Sequence, residues 1–196
     1  MKKIPVIAIA GPSGSGKSTL SRRIEGAYVL EMDEYFKDYR RTDYYLSPEW
    51  DTPGAYEFPL LETHGRALVE GKKQRMAHFN FGTGCREEGP EISLEGKTAL
   101  VVEGLYGIQV NLPWTLKIFV DCSFIQMVER CLPRDQNERG RTDLKKILWM
   151  YDQSWRKYDK VLFPQKKEAD LVFPGDWVDA HPEKIRVEEL LKRAGK

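Results

Sequence analysis

The sequence predicts an α/β protein with a parallel central sheet, and three observations lead to this prediction. Short apolar runs, each the length of a buried strand, alternate along the chain with stretches of helical spacing. A glycine-rich segment joins the first apolar run to the first helical stretch. The length of 196 residues suits a single domain over 1–196 with a small excursion. Because strands that alternate with helices usually pair in parallel, helices are expected on both faces of the sheet.

The strands are predicted from runs of apolar residues. The runs that fit buried strands of the main sheet are 4–10, 27–30, 98–102, 116–120 and 171–173. Two further strand-like runs, 73–81 and 91–94, are separated by glycines and by Gly89-Pro90. They predict a β-ribbon over about 73–95, outside the main sheet.

The helices are predicted from apolar residues that recur every three to four positions. The segments with this spacing are 18–24, 59–70, 124–132, 143–162 and 183–193. Gly71 ends the second of them. Residues 34–58 show no sustained period and predict a long loop, which in a compact domain is usually functional.

Residues 11–18, Gly-Pro-Ser-Gly-Ser-Gly-Lys-Ser, fit the phosphate-binding pattern G-x-x-x-x-G-K-[ST] and are called the P-loop below. Glycines let backbone N–H groups curl around phosphate oxygens, and the following helix adds its partial positive charge. Lys17 is expected to reach the β- and γ-phosphates, and the Ser18 hydroxyl to bind Mg²⁺. The predicted site for a nucleoside triphosphate contains Gly11, Ser13, Gly14, Ser15, Gly16, Lys17, Ser18 and Thr19.

Two acidic residues follow neighbouring predicted strands. Asp33 comes after the second strand and Glu103 after the third, so both should lie at the same edge of the sheet as the P-loop. Alone, Asp33 could equally be a loop or capping residue and Glu103 a turn acid. Together they favour a catalytic site, in which one carboxylate holds Mg²⁺ or its waters and another accepts a hydroxyl proton.

A basic, glycine-containing segment over about 133–142 lies between two predicted helices, and Arg130 precedes it. Its arginines are Arg134, Arg139 and Arg141. On its own such a segment is usually a solvated surface loop. Beside a P-loop it favours a mobile lid, because guanidinium groups match phosphate oxygens and balance the charge that develops during phosphoryl transfer.

Three residues are candidates for contacts to an acceptor substrate. The carboxylate of Asp51 could bind two sugar hydroxyls, although an aspartate two residues before Pro53 is also a common turn residue. Phe79 and Phe81 could stack on a flat ligand, although aromatic residues at this spacing more often share one face of a strand.

Composition and charge exclude several classes of partner. The net charge of +1 gives no field that would attract nucleic acid or a membrane surface, and no apolar run is long enough to cross a bilayer. The three cysteines have no C-x-x-C spacing, so they predict free thiols and a cytoplasmic protein rather than disulfides or a zinc site.

Beyond these patterns, the chain resembles the uridine kinase and phosphoribulokinase family, and most closely its uridine-cytidine kinases. The resemblance extends from about Pro5 to Pro174. Its markers are the P-loop, Leu30-Glu31-Met32-Asp33-Glu34-Tyr35-Phe36, Trp50-Asp51-Thr52-Pro53, Val102-Glu103-Gly104, Arg134-Asp135 with Glu138-Arg139-Gly140-Arg141, and Phe163-Pro164-Gln165-Lys166-Lys167-Glu168-Ala169-Asp170. Together these markers are specific to the family.

The resemblance implies a three-layer P-loop fold and a role for each candidate residue. Asp33 matches the catalytic aspartate that activates the 5′-hydroxyl of the sugar, and Asp51 matches the residue that binds the ribose hydroxyls. Ser18 and Glu103 match the surroundings of Mg²⁺. The lid arginines that the resemblance places near the phosphates are Arg134, Arg139 and Arg141, and Arg141 is also counted among the substrate-binding residues.

The departures from the family lie where a pyrimidine kinase recognises its base. The family's tyrosine-aspartate-phenylalanine segment is Phe79-Asn80-Phe81 here, and Gly84 stands at the position of a base-binding histidine. Cys131 replaces a lid arginine and Met150 a glutamine. Because a site loses discrimination when groups that bind the edge of a ring are absent, the chemistry carries over better than the pyrimidine.

The leading hypothesis is therefore an enzyme that uses ATP or GTP with Mg²⁺ to phosphorylate a small alcohol, most specifically a nucleoside such as uridine or cytidine. Alternative acceptors are another nucleoside, nicotinamide riboside or a sugar phosphate. A different class, a nucleotide-dependent switch with weak hydrolysis, also stays open. Relatives in this family often form homo-oligomers, so a homo-oligomer stays open, and the sequence shows no interface signature.

Overall fold

A computed structural model describes residues 4–38, 51–137 and 140–196. In these ranges the strands, numbered in chain order, are β1 (Val6–Ala10), β2 (Tyr28–Glu31), β3 (Gln74–Asn80), β4 (Cys85–Ile92), β5 (Leu100–Glu103), β6 (Leu116–Asp121) and β7 (Leu171–Pro174). The helices are α1 (Lys17–Arg23), α2 (Phe58–Val69), α3 (Phe124–Asn137), α4 (Leu144–Val161), α5 (Gly175–Ala180) and α6 (Val187–Arg193). None of these helices is long and apolar enough to cross a bilayer.

Within the described residues, five strands form a parallel sheet in the order β2-β5-β1-β6-β7. All five residues of β1 are buried, because this central strand is covered on both faces. Ile9 pairs with Glu103 of β5, which in turn pairs with Glu31 of β2. This register brings the ends of three strands level, so the P-loop and the turns after β2 and β5 meet at one edge.

Two apolar cores, one on each face of the sheet, confirm the three-layer arrangement. Side chains alternate along β1, so Ala8 faces one core and Ile9 the other. The first core is closed by α2, α3 and α4, and the second by α1, α5 and α6. Because the apolar strand residues are covered on both sides, the carboxyl edge of the sheet is left to carry polar groups.

The predicted ribbon is present, but the prediction of its second strand was wrong. β4 pairs antiparallel with β3 and begins at Cys85, so Gly89 and Pro90 lie inside it. The register shifts between Arg75 and Ala77. A Cβ on Gly89 would lie 3.0 Å from the carbonyl oxygen of Ala77, so glycine suits this irregularity. Proline is tolerated there because β4 is an edge strand.

The helices differ from the sequence prediction mainly near the chain's end and beside the predicted lid. α3 continues through Pro133 to Asn137, so the first half of the predicted lid is helical. The short helix α5 was not predicted, and α6 begins at Val187 instead of residue 183. The predicted loop contains 3₁₀ turns at Met32–Tyr35 and Pro53–Ala55, and its residues 39–50 lie outside the described ranges.

Candidate active site

A cleft of about 550 Å³ opens at the carboxyl edge of the sheet. The structure brings most of the candidate residues together around it. Those that line the cleft are Ser13, Gly14, Gly16, Lys17, Ser18, Thr19, Asp33, Asp51, Phe81, Glu103, Arg134 and Arg141. Gly11, Ser15 and Phe79 are not part of its lining, and Arg139 lies outside the described residues.

The P-loop has the glycine-dependent backbone that phosphate binding requires. Gly14 and Gly16 adopt φ of 70° and 102°, in the left-handed region that disfavours other residues. A Cβ on Gly11 would lie 2.0 Å from the carbonyl oxygen of Val120, so Gly11 lets the loop pass against β6. Ser15 is fully buried beneath the loop. Gly11 and Ser15 therefore shape the loop from behind instead of facing the cleft.

Lys17, Ser18 and Glu103 form a compact polar group beside the loop. The Lys17 ammonium donates to the carbonyl of Pro12 (2.9 Å) and lies 4.0 Å from the Glu103 carboxylate. The Ser18 hydroxyl donates to Oε1 of Glu103 at 3.1 Å. Burial raises the pKa of Glu103 to about 7, which Lys17 opposes and the neighbouring Asp33 reinforces.

One hydroxyl and one carboxylate fit a Mg²⁺ site of the kind found in nucleotide-binding enzymes. Magnesium prefers oxygen ligands and keeps several waters, so it is held by few protein groups together with phosphate oxygens. In the described ranges, no group of three or more histidine, cysteine, aspartate or glutamate side chains could hold a metal by itself. Ser18 and Glu103 stay the predicted Mg²⁺ ligands, and their hydrogen bond places their oxygens side by side.

Asp33 is positioned by the 3₁₀ turn that follows β2. The preceding Met32 is fully buried against the backbone at Gly104. A Cβ on Gly104 would lie 2.5 Å from the Met32 Cβ, so only glycine allows the turn to pack this closely on the end of β5. This packing explains how Asp33 comes near Glu103, although the two residues are 70 positions apart in the chain.

Asp51 has a strained backbone and two tyrosine partners. Its φ of 53° is positive, and no other non-glycine residue in the described ranges has a positive φ. The Tyr106 hydroxyl donates to its carbonyl oxygen (2.5 Å), and the Tyr158 hydroxyl donates to Oδ2 (3.3 Å). Strain of this kind persists where surrounding groups impose it, and it is common at functional sites. Sequence reasoning found Asp51 but not its two tyrosines.

Two of the predicted lid arginines are held by one buried carboxylate. Arg141 Nη1 donates to Oδ2 of Asp135 at 2.7 Å, and Arg134 Nη2 donates to Oδ1 at 3.2 Å. The Tyr151 hydroxyl also donates to Oδ2, at 2.9 Å. Asp135 is 1% exposed, so these donors compensate the burial of its charge. The sequence contained Asp135 in the Arg-Asp pair, but its position as the common partner was not predicted.

Arg130 has a different place from the other arginines. Its Nη1 donates to the carbonyl of Gly14 at 3.0 Å, and its Nη2 pairs with Asp179 at 2.6 Å and Asp176 at 3.2 Å. The guanidinium thus connects the P-loop to α5, the helix that sequence analysis missed. A role as a brace for the loop fits these contacts better than a role in a lid.

The two phenylalanines that were predicted to contact an acceptor have different surroundings. The Phe81 ring is 55% exposed and lines the cleft, whereas Phe79 is 1% exposed and packs edge-on against Phe81 and Phe36. Glu34 accepts a hydrogen bond from the Phe79 backbone N–H at 2.6 Å, which ties the ribbon to the turn that carries Asp33. The placement of Phe79 supports the Phe81 ring instead of offering a stacking surface of its own.

Two of the positions that depart from the uridine-cytidine kinase pattern line the cleft, and the third lies in the turn of the ribbon. Cys131 and Met150 are buried side chains in the lining of the cleft. The Cys131 Sγ lies 2.9 Å from where a Cβ on Gly14 would stand, so the thiol packs directly on the P-loop. Gly84 adopts φ of 66° in the turn of the ribbon and does not line the cleft.

Comparison with known proteins assigns the chain to a family. The sequence profile of the phosphoribulokinase / uridine kinase family matches residues 6–178. This chain belongs to that family. This chain is 33% identical over 180 residues to a uridine kinase of Deinococcus deserti, and the alignment covers 86% of each chain. It is 30% identical over 179 residues to a uridine kinase of Halobacterium salinarum, covering 86% of this chain and 79% of the relative.

Solved structures show the same fold. A putative fructose transport system kinase from Silicibacter sp. TM1040 superposes with a TM-score of 0.58 at 19% identity, covering 89% of this chain and 91% of the other. A possible uridine kinase from Bacillus stearothermophilus gives 0.57 at 18% identity, covering 88% and 90%. The family and the P-loop α/β fold expected from the sequence are thereby confirmed, and the chain is a kinase-family protein.

Proposed function

We propose that this protein transfers the γ-phosphate of ATP, or of GTP, to a hydroxyl of a small acceptor, most specifically the 5′-hydroxyl of a nucleoside such as uridine or cytidine. The observation that carries the proposal is that the carboxylates Asp33 and Asp51 share one cleft with the P-loop. A nucleotide switch needs a P-loop but has no use for acidic groups on the acceptor side. The named relatives support the nucleoside.

In the proposed reaction, Asp33 accepts the proton of the acceptor hydroxyl as its oxygen attacks the γ-phosphorus in line. A new O–P bond forms, and the bond between the γ-phosphorus and the bridging oxygen breaks, which releases the nucleoside diphosphate. Lys17, Arg134 and Arg141 stabilise the charge on the transferred group. Ser18 and Glu103 would hold Mg²⁺, which would supply further positive charge to the phosphate oxygens. The predicted lid, which includes Arg139, would exclude water and prevent simple hydrolysis.

A second acceptor class is favoured by the lining at Cys131 and Met150. A thiol and a thioether bind the edge of a base weakly compared with the arginine and glutamine that the resemblance implies there. This supports acceptors whose recognition depends less on a pyrimidine, such as another nucleoside, nicotinamide riboside or a sugar phosphate. The alternative that is not a phosphotransferase is a nucleotide-dependent switch with weak hydrolysis.

The test is a panel of nucleosides, nicotinamide riboside and sugar phosphates, each offered with Mg²⁺ and either ATP or GTP. Both the phosphorylated acceptor and the nucleoside diphosphate are measured. Product formation from at least one acceptor is expected, with uridine and cytidine tried first. Release of diphosphate at a rate that no acceptor changes would instead identify a switch. Homo-oligomer formation and a cytoplasmic location stay predictions, which gel filtration and cell fractionation would check.

A further inference from the structure

Tyr56 belongs to the lining of the cleft and carries a buried hydroxyl. The side chain lines the cleft, and the residue is 3% exposed. Its hydroxyl has no hydrogen-bond partner among the residues that the structure describes. Buried polar groups in folded proteins almost always have a partner, so an exception inside a cleft points to a ligand that completes it.

The ring of Tyr56 is held in place from several sides. It stacks on Phe36, with centroids 4.5 Å apart and planes 24° from parallel, and it meets Tyr106 edge-on at 6.0 Å. The backbone on either side is fixed as well: Lys37 N–H donates to the Ala55 carbonyl at 2.9 Å. Because these contacts fix the ring, the hydroxyl cannot readily turn away to find water.

The segment that carries Tyr56 is joined to the turn that carries Asp33. The N–H of Glu57 donates to the carbonyl of Tyr35 at 2.8 Å, and Phe36 and Tyr56 form a β-bridge. The residues Tyr56 and Asp33 therefore belong to segments that are hydrogen-bonded to each other, which fixes their relative position.

The surroundings of the hydroxyl make it a hydrogen-bond donor. Burial, followed by the negative charges of Asp33 and Asp51, raises the pKa of Tyr56 well above its ordinary value. A protonated phenol that shares a cleft with two carboxylates suits a ligand that offers an oxygen to the phenol and hydroxyl groups to the acids.

We propose that Tyr56 is a specificity-determining residue that donates a hydrogen bond to an oxygen of the acceptor other than the one phosphorylated. This inference rests on the proposed function and deepens it. With Asp33 engaging the attacking hydroxyl and Asp51 other hydroxyls of the sugar, Tyr56 would donate to a further oxygen of the acceptor. The acceptor is then a polyhydroxylated compound, such as a furanose, that is recognised chiefly through its sugar oxygens.

The test compares the wild-type protein with Tyr56→Phe. Each is assayed with Mg²⁺–ATP and uridine, 2′-deoxyuridine or 3′-deoxyuridine, or with the acceptor that the panel selects and its analogues that each lack one hydroxyl. For the complete acceptor, kcat/KM should fall by about tenfold in the variant, the cost of one lost hydrogen bond. The KM for ATP should not change. The penalty for removing one particular acceptor oxygen should disappear in the variant, and this identifies the oxygen that Tyr56 contacts.

Tyr35→Phe is the matched control. The Tyr35 hydroxyl bonds Nδ1 of His64 at 2.9 Å and lies outside the cleft lining. Its loss should lower the melting temperature without changing acceptor selectivity. Tyr56→Phe should instead change acceptor selectivity and leave the melting temperature close to that of the wild type, because the Tyr56 hydroxyl has no hydrogen-bond partner among the described residues.

The outcomes separate the inference from the proposed function. If the wild type transfers phosphate and Tyr56→Phe keeps the same rate and the same discrimination between acceptors, the inference is overturned and the proposed function stands. If no acceptor is phosphorylated, the melting temperatures of the wild type and of Tyr56→Phe are measured with and without uridine or ribose, and the shift on adding the ligand decides whether Tyr56 contacts it. A shift that occurs in the wild type and is lost in Tyr56→Phe keeps the inference without the kinase activity, whereas no shift in the wild type overturns both.

Discussion

The hydroxyl of Ser18 donates a hydrogen bond to the carboxylate of Glu103 at 3.1 Å, although 85 positions separate the two residues. Ser18 lies in the first turn of α1, the helix after β1, and Glu103 ends the neighbouring strand β5, where it pairs with Ile9. The contact therefore follows from the register of two parallel strands. It brings the two predicted ligands of Mg²⁺ together beside the P-loop, and the other residues of the site lie around this pair.

Asp33→Asn should abolish most phosphoryl transfer and leave nucleotide binding largely intact. An amide cannot accept the acceptor's proton, and a positioned base typically contributes about 10²–10⁴-fold to the rate. Product formation and ATP affinity, the latter by calorimetry, are the two measurements. Asp152→Asn, on the exposed face of α4, is the control and should behave as wild type. An equal loss of binding and transfer in Asp33→Asn would instead make Asp33 a metal or structural residue.

Lys17→Ala should weaken both phosphate binding and turnover. The ammonium is nearly buried, bonded to Pro12 and close to Glu103, so it is held where the terminal phosphates are expected. Loss of one preorganised donor to a developing charge costs about 10²–10³-fold in kcat. Steady-state kinetics and ATP titration measure the effect, with the exposed Lys72→Ala as the control. Wild-type affinity and rate in Lys17→Ala would refute the proposed phosphate site.

Asp135→Asn should reduce stability and turnover together. The change removes the charge that holds Arg134 and Arg141, and breaking a buried ion pair costs on the order of 3 kcal/mol. Tyr151→Phe removes a single donor to the same carboxylate and should cost only about 1 kcal/mol. Urea unfolding gives both values. If Asp135→Asn unfolded at the wild-type urea midpoint, the carboxylate would not be the anchor described here.

Arg130→Met should weaken ATP binding more than it weakens the fold. Methionine keeps an apolar stem but removes the bonds to Gly14, Asp176 and Asp179, so the P-loop loses its brace to α5. Arg156→Met, in an exposed pair on α4, serves as the control. ATP titration and melting temperature are compared for both variants. An ATP affinity equal to wild type in Arg130→Met would show that the loop keeps its shape unaided.

Gly104→Ala should lower activity through a displaced Asp33. The new Cβ would overlap the Met32 side chain, and overpacking of this kind typically costs about 1–3 kcal/mol. Because Met32 directly precedes Asp33, the strain should reduce kcat while ATP affinity stays close to wild type. Thermal unfolding and kinetics with saturating ATP measure the two effects. Full activity in this variant would show that the turn after β2 can shift without consequence.

Local patterns in the sequence were enough to predict the order of most strands and helices, the P-loop and the two acids at strand ends. Those predictions rest on interactions between near neighbours: apolar periodicity, glycine backbone freedom and the rule that parallel strands end at one edge. The boundaries of β4 and α3 were missed because they depend on distant partners. Gly89 and Pro90 are accommodated by a register shift against β3, and the last turn of α3 is anchored by the contacts of Asp135.

The sequence by itself determined the family, the phosphate-binding chemistry and the candidate residues Asp33, Asp51 and Glu103, because each is written in a short contiguous motif. Only the tertiary structure decided that Arg130 connects the P-loop to α5, that Asp135 joins two arginines and that the buried Tyr56 hydroxyl has no hydrogen-bond partner among the described residues. A hydrogen-bond partner, or the lack of one, depends on which distant segments packing brings within 3.5 Å, and no local pattern encodes that distance.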